Sequence, residues 1–374
     1  MLAGGHGKTR IQGRKRMEKT KKSQRKSNIE LLRALLMFLV IILHYNNAEM
    51  GGAFAVASGA SLYVLKFMET VSVCAVNCFI LISAYFMSTS TKRSFQKPVH
   101  LLGMVIGYQL LSMLGQMFLT KTVPFQWKSL IFCLIPSNWF VVLFCVLYLV
   151  SVYVNPLFSV LSKKQLQQCI GICLALFVIY PTLFESGLSY LSGTSEWPGL
   201  GTITMSGSAG GYTIVNFMIL YLIGGYLRKY PLKWSSLQCF GGFLAASVLD
   251  FILGLFCGTY TSYANIFVVI QAVMLFLTFL KWDMKSSVLI NDISKSAFGI
   301  YLIHTSSFMI RDFWGYFRIQ EYAQKTAGVV FVHLIIACVA MYVACLVIDI
   351  VCRSIVSPIV RKIEKWIHYA SISC

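Results

Sequence analysis

Long apolar runs alternate with short polar connections along this chain, and the length of the runs sets the first reading. A window of about 20 apolar residues is long enough to cross the hydrocarbon core of a bilayer as a helix. Such windows recur near residues 29–46, 64–87, 100–119, 138–155, 166–184, 212–227, 239–257, 262–280, 294–314 and 327–351. The pattern predicts an all-α fold, a polytopic transmembrane bundle of about ten helices. Basic residues gather in alternate connections: Lys92, Arg93 and Lys97, then Lys163 and Lys164, then Arg228, Lys229 and Lys233, then Lys281 and Lys285. The intervening ones hold fewer, namely Lys121 and Lys128, then Arg311, Arg318 and Lys325. Positive charge marks the cytoplasmic side, so both termini are expected in the cytoplasm. Three parts follow: a basic N-terminal segment over 1–28, a transmembrane domain over 29–351 and a basic tail over 352–374. The tail carries Arg361, Lys362, Lys365 and Trp366 in the pattern of an interfacial anchor. The longest connection on the other side, Glu185–Gly211, is rich in Gly and Ser and has no Lys or Arg, and it either covers a site or is simply flexible.

Composition agrees with the pattern. Of 374 residues 57% are hydrophobic and 12% charged, where a soluble domain has about 25% charged; the mean hydropathy is +0.72. The net charge of +19 raises nucleic acid as a partner, but ten basic residues fall between Lys8 and Lys26 against the single acid Glu18. With no aromatic or folded reader beside it, that charge reads as a cytoplasmic flank, not a nucleic-acid arm. A basic region, an apolar run and then Ala53, Ala55 and Ala57 resemble a secretion signal. The basic region is too long for one, and Arg33 interrupts the run, so an uncleaved signal-anchor is expected. Met17 is a second candidate start. The twelve cysteines lie mostly in apolar segments, with Cys74/Cys78 and Cys169/Cys173 as helical neighbours. They form no disulfide framework and no zinc spacing, so no metal site is expected.

The first helix, with the sequence IELLRALLMFLVIILHYNN over Ile29–Asn47, places three ionisable residues in an apolar run. Charge there is costly and needs a reason. Arg33 and His44 are eleven positions apart, which is three turns plus roughly 20° and a rise of about 16 Å. Glu30 lies one turn before Arg33, within about 60° of the same line. All three therefore suit one path through the membrane. The bland alternative makes Arg33 a snorkelling residue and His44 an interfacial one, and residue physics alone favours it. His304, roughly 15 Å into its helix, is either a buried imidazole bonded to a neighbouring helix or part of a site. Arg311 follows on nearly the same face. Glu69 and Asp250 are further intramembrane acids, each a candidate partner for an Arg.

The string Asn28-Ile29-Glu30-Leu31-Leu32-Arg33, ten residues and then His44 resembles the first helix of the acyltransferase-3 membrane family, where Arg-x10-His is a signature. Four later stretches are similar to family patterns in the same order. They are Val76–Phe86, Trp139–Leu149 followed by Pro156, Tyr221–Arg228 and Ser296–His304. In the first of these Ala84 stands where the family usually has Gly. The resemblance implies a multi-pass protein of a bacterial inner (plasma) membrane that moves an acetyl group from acetyl-CoA to a hydroxyl of a cell-surface or lipid-linked glycan. It implies His44 as the catalytic base and Arg33 as the group that holds the donor; Glu30, a turn away, is a candidate to orient Arg33, a role that the resemblance leaves open. Asn77, Ser83, Trp139, Tyr301 and His304 become candidate substrate-binding residues, although helix packing explains Asn77 and Ser83 as well and an interfacial anchor explains Trp139. Some members carry an added extracytoplasmic domain that receives the acyl group. This sequence ends about twenty residues past its last expected helix, so direct action on the acceptor or a separate partner protein is expected. The competing class is a secondary transporter using buried Arg, His, Asp and Glu. Broken helices in two related halves would mark it, and the sequence has no such repeat.

Overall fold

Within a bilayer the backbone has no water to bond, so apolar spans fold as helices that satisfy their own amides and carbonyls. A computed structural model of the chain describes residues 26–121, 124, 126–193, 200, 209–257, 262–306 and 310–372, and every regular element among them is helical. The principal helices are α1 (Ser27–Asn46), α2 (Gly59–Ser72), α3 (Cys74–Met87), α4 (Gln96–Gly115), α5 (Trp139–Val160) and α6 (Lys163–Leu174). They continue with α7 (Ile214–Lys229), α8 (Ser236–Cys257), α9 (Ile266–Lys281), α10 (Val288–Ser294), α11 (Ala297–His304) and α12 (Ala327–Ile372). Helix α1 packs against α2, α3, α9, α10, α11 and α12. Its Leu32, Leu36, Ile41, Ile42 and Tyr45 are buried.

Seven helices among the described residues have the length and apolarity of a membrane span, and they account for seven of the ten expected windows. The other three differ. Helices α7 and α9 are 16 residues each, about 24 Å against a hydrocarbon core of about 30 Å. The window 294–314 is not one helix. A turn at Lys295 and Ser296 divides α10 from α11, and α11 stops at His304. There Thr305 donates its Oγ1–H to the Tyr301 carbonyl at 2.6 Å and Ser306 N–H bonds Ile303 O at 3.2 Å, a tighter ending than the α-helix. No structural break marks the boundary expected at residue 352, because α12 runs through it to Ile372.

The basic connections gather at one end of the bundle. There Asn155 Nδ2 donates to the Met87 and Ser90 carbonyls at 3.0 and 2.6 Å, and Asn28 Nδ2 donates to Phe279 O at 2.8 Å. His100 meets Glu364 at 2.6 Å, tying α4 to the far part of α12. At the opposite end Ser61 donates to Lys325 O at 2.5 Å and Ile266 N–H donates to Thr182 Oγ1 at 3.0 Å. Most of the Glu185–Gly211 connection, namely 194–199 and 201–208, lies outside the described residues, as does the N-terminal segment before residue 26.

The substitution at Ala84 has a physical explanation. A Cβ placed on Gly224 of α7 would lie 2.5 Å from the Ala84 Cβ and 3.1 Å from the Leu81 carbonyl. The room for close approach that a Gly at position 84 would give comes instead from the facing helix. Gly224→Ala therefore overfills the α3–α7 contact and is expected to cost about 1–3 kcal/mol, measurable as a lower melting temperature in detergent. Combining it with Ala84→Gly should restore most of the loss if this contact is the cause.

Candidate functional site

Residues from both ends of α1 contribute to one wall of a cavity of about 290 Å³ lined chiefly by α1, α3, α5 and α11. Arg33, His44, Ser83, Trp139 and Tyr301 line it. The helical spacing that puts Arg33 and His44 on one face is thus realised as one continuous wall.

At the basic end of the bundle, Arg33 Nη1 bonds Glu30 Oε1 at 2.6 Å. Glu30 is 4% exposed, and its second oxygen accepts the Ser294 hydroxyl at the end of α10. The carboxylate is therefore held from two sides, and it is ion-paired with the guanidinium of a residue that lines the cavity. Further cations surround this end. Lys295 lines the cavity and pairs with Asp292 at 2.5 Å. Lys97 Nζ sits 5.6 Å from the ring centroid of Phe144, another cavity residue, and is within electrostatic range of Arg93 and Arg33.

The other end holds imidazole and aromatic groups. His44 lies in the last turn of α1. The chain then folds back so that Gly51 N–H bonds the His44 carbonyl at 2.9 Å. A Cβ at Gly51 would stand 2.3 Å from the Tyr45 carbonyl oxygen, so this turn requires glycine. His44 Nδ1 is 2.8 Å from His304 Nε2, and His304 Nδ1 is 2.6 Å from the Ile300 carbonyl oxygen. His304 is 2% exposed and stands behind His44 instead of in the cavity wall. Beside them Tyr301 donates its hydroxyl to Asn138 Oδ1 at 3.2 Å. Trp139 packs on Tyr212 with ring centroids 4.5 Å apart, and Tyr212 on Tyr263 at 4.8 Å.

The sequence reading missed Tyr212, Tyr263, Phe140 and Lys295 in this wall. Tyr212 and Tyr263 sit in connections, where aromatic residues are ordinary interfacial anchors. What brings them together is a contact distant in sequence: Tyr263 N–H bonds Gly210 O at 2.8 Å, and Gly211, at φ 83°, passes so close that a Cβ would lie 2.6 Å from Ala264 N.

Other candidates lie elsewhere. Asn77 is fully buried outside the cavity wall, donating to Tyr263 O at 2.9 Å and accepting from Asn216 Nδ2 at 3.3 Å, the geometry of a helix-to-helix bond. Ser83 lines the cavity, but its hydroxyl donates to Phe79 O at 2.9 Å within its own helix. Glu69 accepts from the Asn46 amide at 2.8 Å, and Asp250 from Asn265 at 2.8 Å and Gln271 at 3.4 Å. The Arg311 side chain is outside the described residues. Among the described residues no group of His, Cys, Asp and Glu has the arrangement to hold a metal ion.

The site thus offers a half-buried imidazole with a ring nitrogen able to accept a proton at one end of an apolar passage and a group of cations at the other. No curated protein and no solved structure matches the chain. The family model described as an acyltransferase domain matches residues 26–350, from the residue before α1 to within α12, and so takes in every residue of the cavity wall. The chain belongs to the acyltransferase-3 family of membrane acyltransferases.

Proposed function

We propose that this acyltransferase takes an acetyl group from cytoplasmic acetyl-CoA and delivers it to a hydroxyl of a cell-surface or lipid-linked glycan in a bacterial inner membrane. The observation that carries the reading is the single cavity with Arg33 at its basic end and His44 about 16 Å along the same helix face. Acetyl-CoA supplies the thioester and, with it, phosphates that suit the cations at the basic end. Arg33 binds there by paired hydrogen bonds in a geometry set by Glu30, with Lys97 and Lys295 adding positive charge. The apolar middle, with Met37, Val40 and Phe144 in its wall, accommodates the thin linking arm and excludes water that would hydrolyse a thioester. The aromatic faces of Trp139 and Tyr212 suit the apolar face of a sugar ring, and their polar edges suit its hydroxyls.

His44 takes up the proton of the acceptor hydroxyl as that oxygen bonds the acyl carbon. When the C–S bond breaks, the imidazolium returns the proton to the departing thiolate, so the ring ends the cycle as it began. The acceptor is reached directly or through a partner protein. In this reading the basic end faces the cytoplasm, with both termini inside.

Two variants test the assignment in protein reconstituted into vesicles. His44→Gln keeps size and hydrogen bonding but cannot take a proton at neutral pH, and kcat should fall about 10²–10⁴-fold while insertion and melting temperature stay close to wild type. Wild-type turnover in that variant removes His44 from the chemistry. Arg33→Lys keeps charge but loses the planar fork, and the KM for acetyl-CoA should rise about tenfold or more; an unchanged KM leaves Arg33 no donor role. Acetyl-CoA consumption itself separates the enzyme from a transporter of some unrelated solute, which leaves acetyl-CoA intact.

A further inference from the structure

Resting on the role of His44 as base, we infer that His304 is a positioning residue that fixes His44 in the tautomer with its proton on Nδ1, so that Nε2 carries the lone pair used in the reaction. The far end of the chain of bonds sets the tautomers. A carbonyl oxygen only accepts, so the 2.6 Å contact between Ile300 O and His304 Nδ1 requires the proton on that nitrogen. In a neutral ring the other nitrogen, Nε2, is then bare. It lies 2.8 Å from His44 Nδ1, which must donate to it. His44 is left with a bare Nε2, and as Nδ1 is already engaged inside the protein, Nε2 is the ring nitrogen available to an acceptor in the cavity that His44 lines.

The opposite tautomer of His44 places two lone pairs against each other at this distance. Turning His304 over as well moves the mismatch to the Ile300 carbonyl. Losing one buried hydrogen bond disfavours a state by a factor of about 5–150, so the bond chain selects one tautomer strongly. Without it, part of the protein would hold a proton on the nitrogen that has to accept one.

Three further features fit the role. His304 is buried behind His44 and absent from the cavity wall, so it acts through His44 and not on the acceptor. The Tyr301 ring, with its centroid 6.0 Å from that of His304 and nearly edge-on, limits rotation of the second imidazole. Both histidines occupy the last turns of their helices, where the negative end of the helix dipole favours the positive charge that appears when His44 takes up its proton.

The test pairs His304→Gln with His304→Leu in reconstituted protein and adds ¹⁵N NMR of histidine-labelled wild type. The Gln carbonyl can still accept the His44 Nδ1 proton, and kcat should stay within a few-fold of wild type. Leu has no acceptor, and kcat should fall about tenfold or more, because the tautomer preference is lost and the His44 ring is no longer held in one orientation, with the KM values for donor and acceptor unchanged. In wild type the His44 Nε2 resonance should be that of an unprotonated ring nitrogen. A protonated Nε2, equal losses in the two variants, or full turnover in His304→Leu each overturns the inference. The NMR result stands even where a variant fails to insert. If His44→Gln is also fully active, the reading of His44 as base fails; if it is inactive while His304→Leu is fully active, only the positioning role fails.

Discussion

A polar group inside an apolar helix bundle must find its partner within the protein, because the surrounding hydrocarbon offers none. Helix α1 meets this constraint at both ends, and the site depends on how it does so. At one end the charge of Arg33 is balanced by Glu30, which is itself held by Ser294. At the other, His44 is bonded to His304, whose second nitrogen is taken by its own helix. Both solutions draw on the same neighbouring region, the broken stretch from α10 to α11. That region cannot be a regular span, since Ser294 and His304 each stand at a helix end.

The same constraint shapes the frame around the site. Asn155 accepts the Tyr221 hydroxyl at 2.6 Å and caps the end of α3, while Asn77 bridges α3, α7 and Tyr263. Asp349 of α12 accepts from Tyr108 of α4 at 2.5 Å, with Arg353 at 3.6 Å, and sits so close to α11 that a Cβ on Gly299 would lie 1.6 Å from its Oδ1. Glycine at that position is what lets α11 approach α12, and α11 carries His304.

Much of this was legible in the sequence. The apolar windows gave the helices because length and hydropathy alone decide what can span. The Glu30, Arg33 and His44 spacing put those residues on one face because an α-helix admits no other arrangement. The end of α11 was not legible: Ala297–His304 continues into Thr305 and Ser306 with no Gly or Pro to mark a stop, and the interruption comes from hydroxyl and backbone bonds local to those residues. Nor was the His44–His304 bond, which joins positions 260 residues apart, or the aromatic wall, where Tyr212 and Tyr263 meet through a loop crossing. Asn77 shows the converse limit. Its residue type suits substrate contact and helix bonding alike, and the facing Asn216 directs its amide to the latter.

The separation of Arg33 from His44 is itself part of the mechanism proposed here. A thioester donor with anionic phosphates and an acceptor supplied from the opposite side must meet without opening a continuous water path between them. Placing the anion-binding group and the base at the same point would draw the phosphates, and their hydration, into the apolar interior at high cost. With three helical turns between them the phosphates remain among Arg33, Lys97 and Lys295, and only the uncharged part of the donor need reach His44. The apolar residues between the two are then as necessary to the reaction as the polar ones. In the proposed reaction they keep bulk water from the thioester while the imidazole, held in the inferred tautomer, takes its proton from the acceptor hydroxyl.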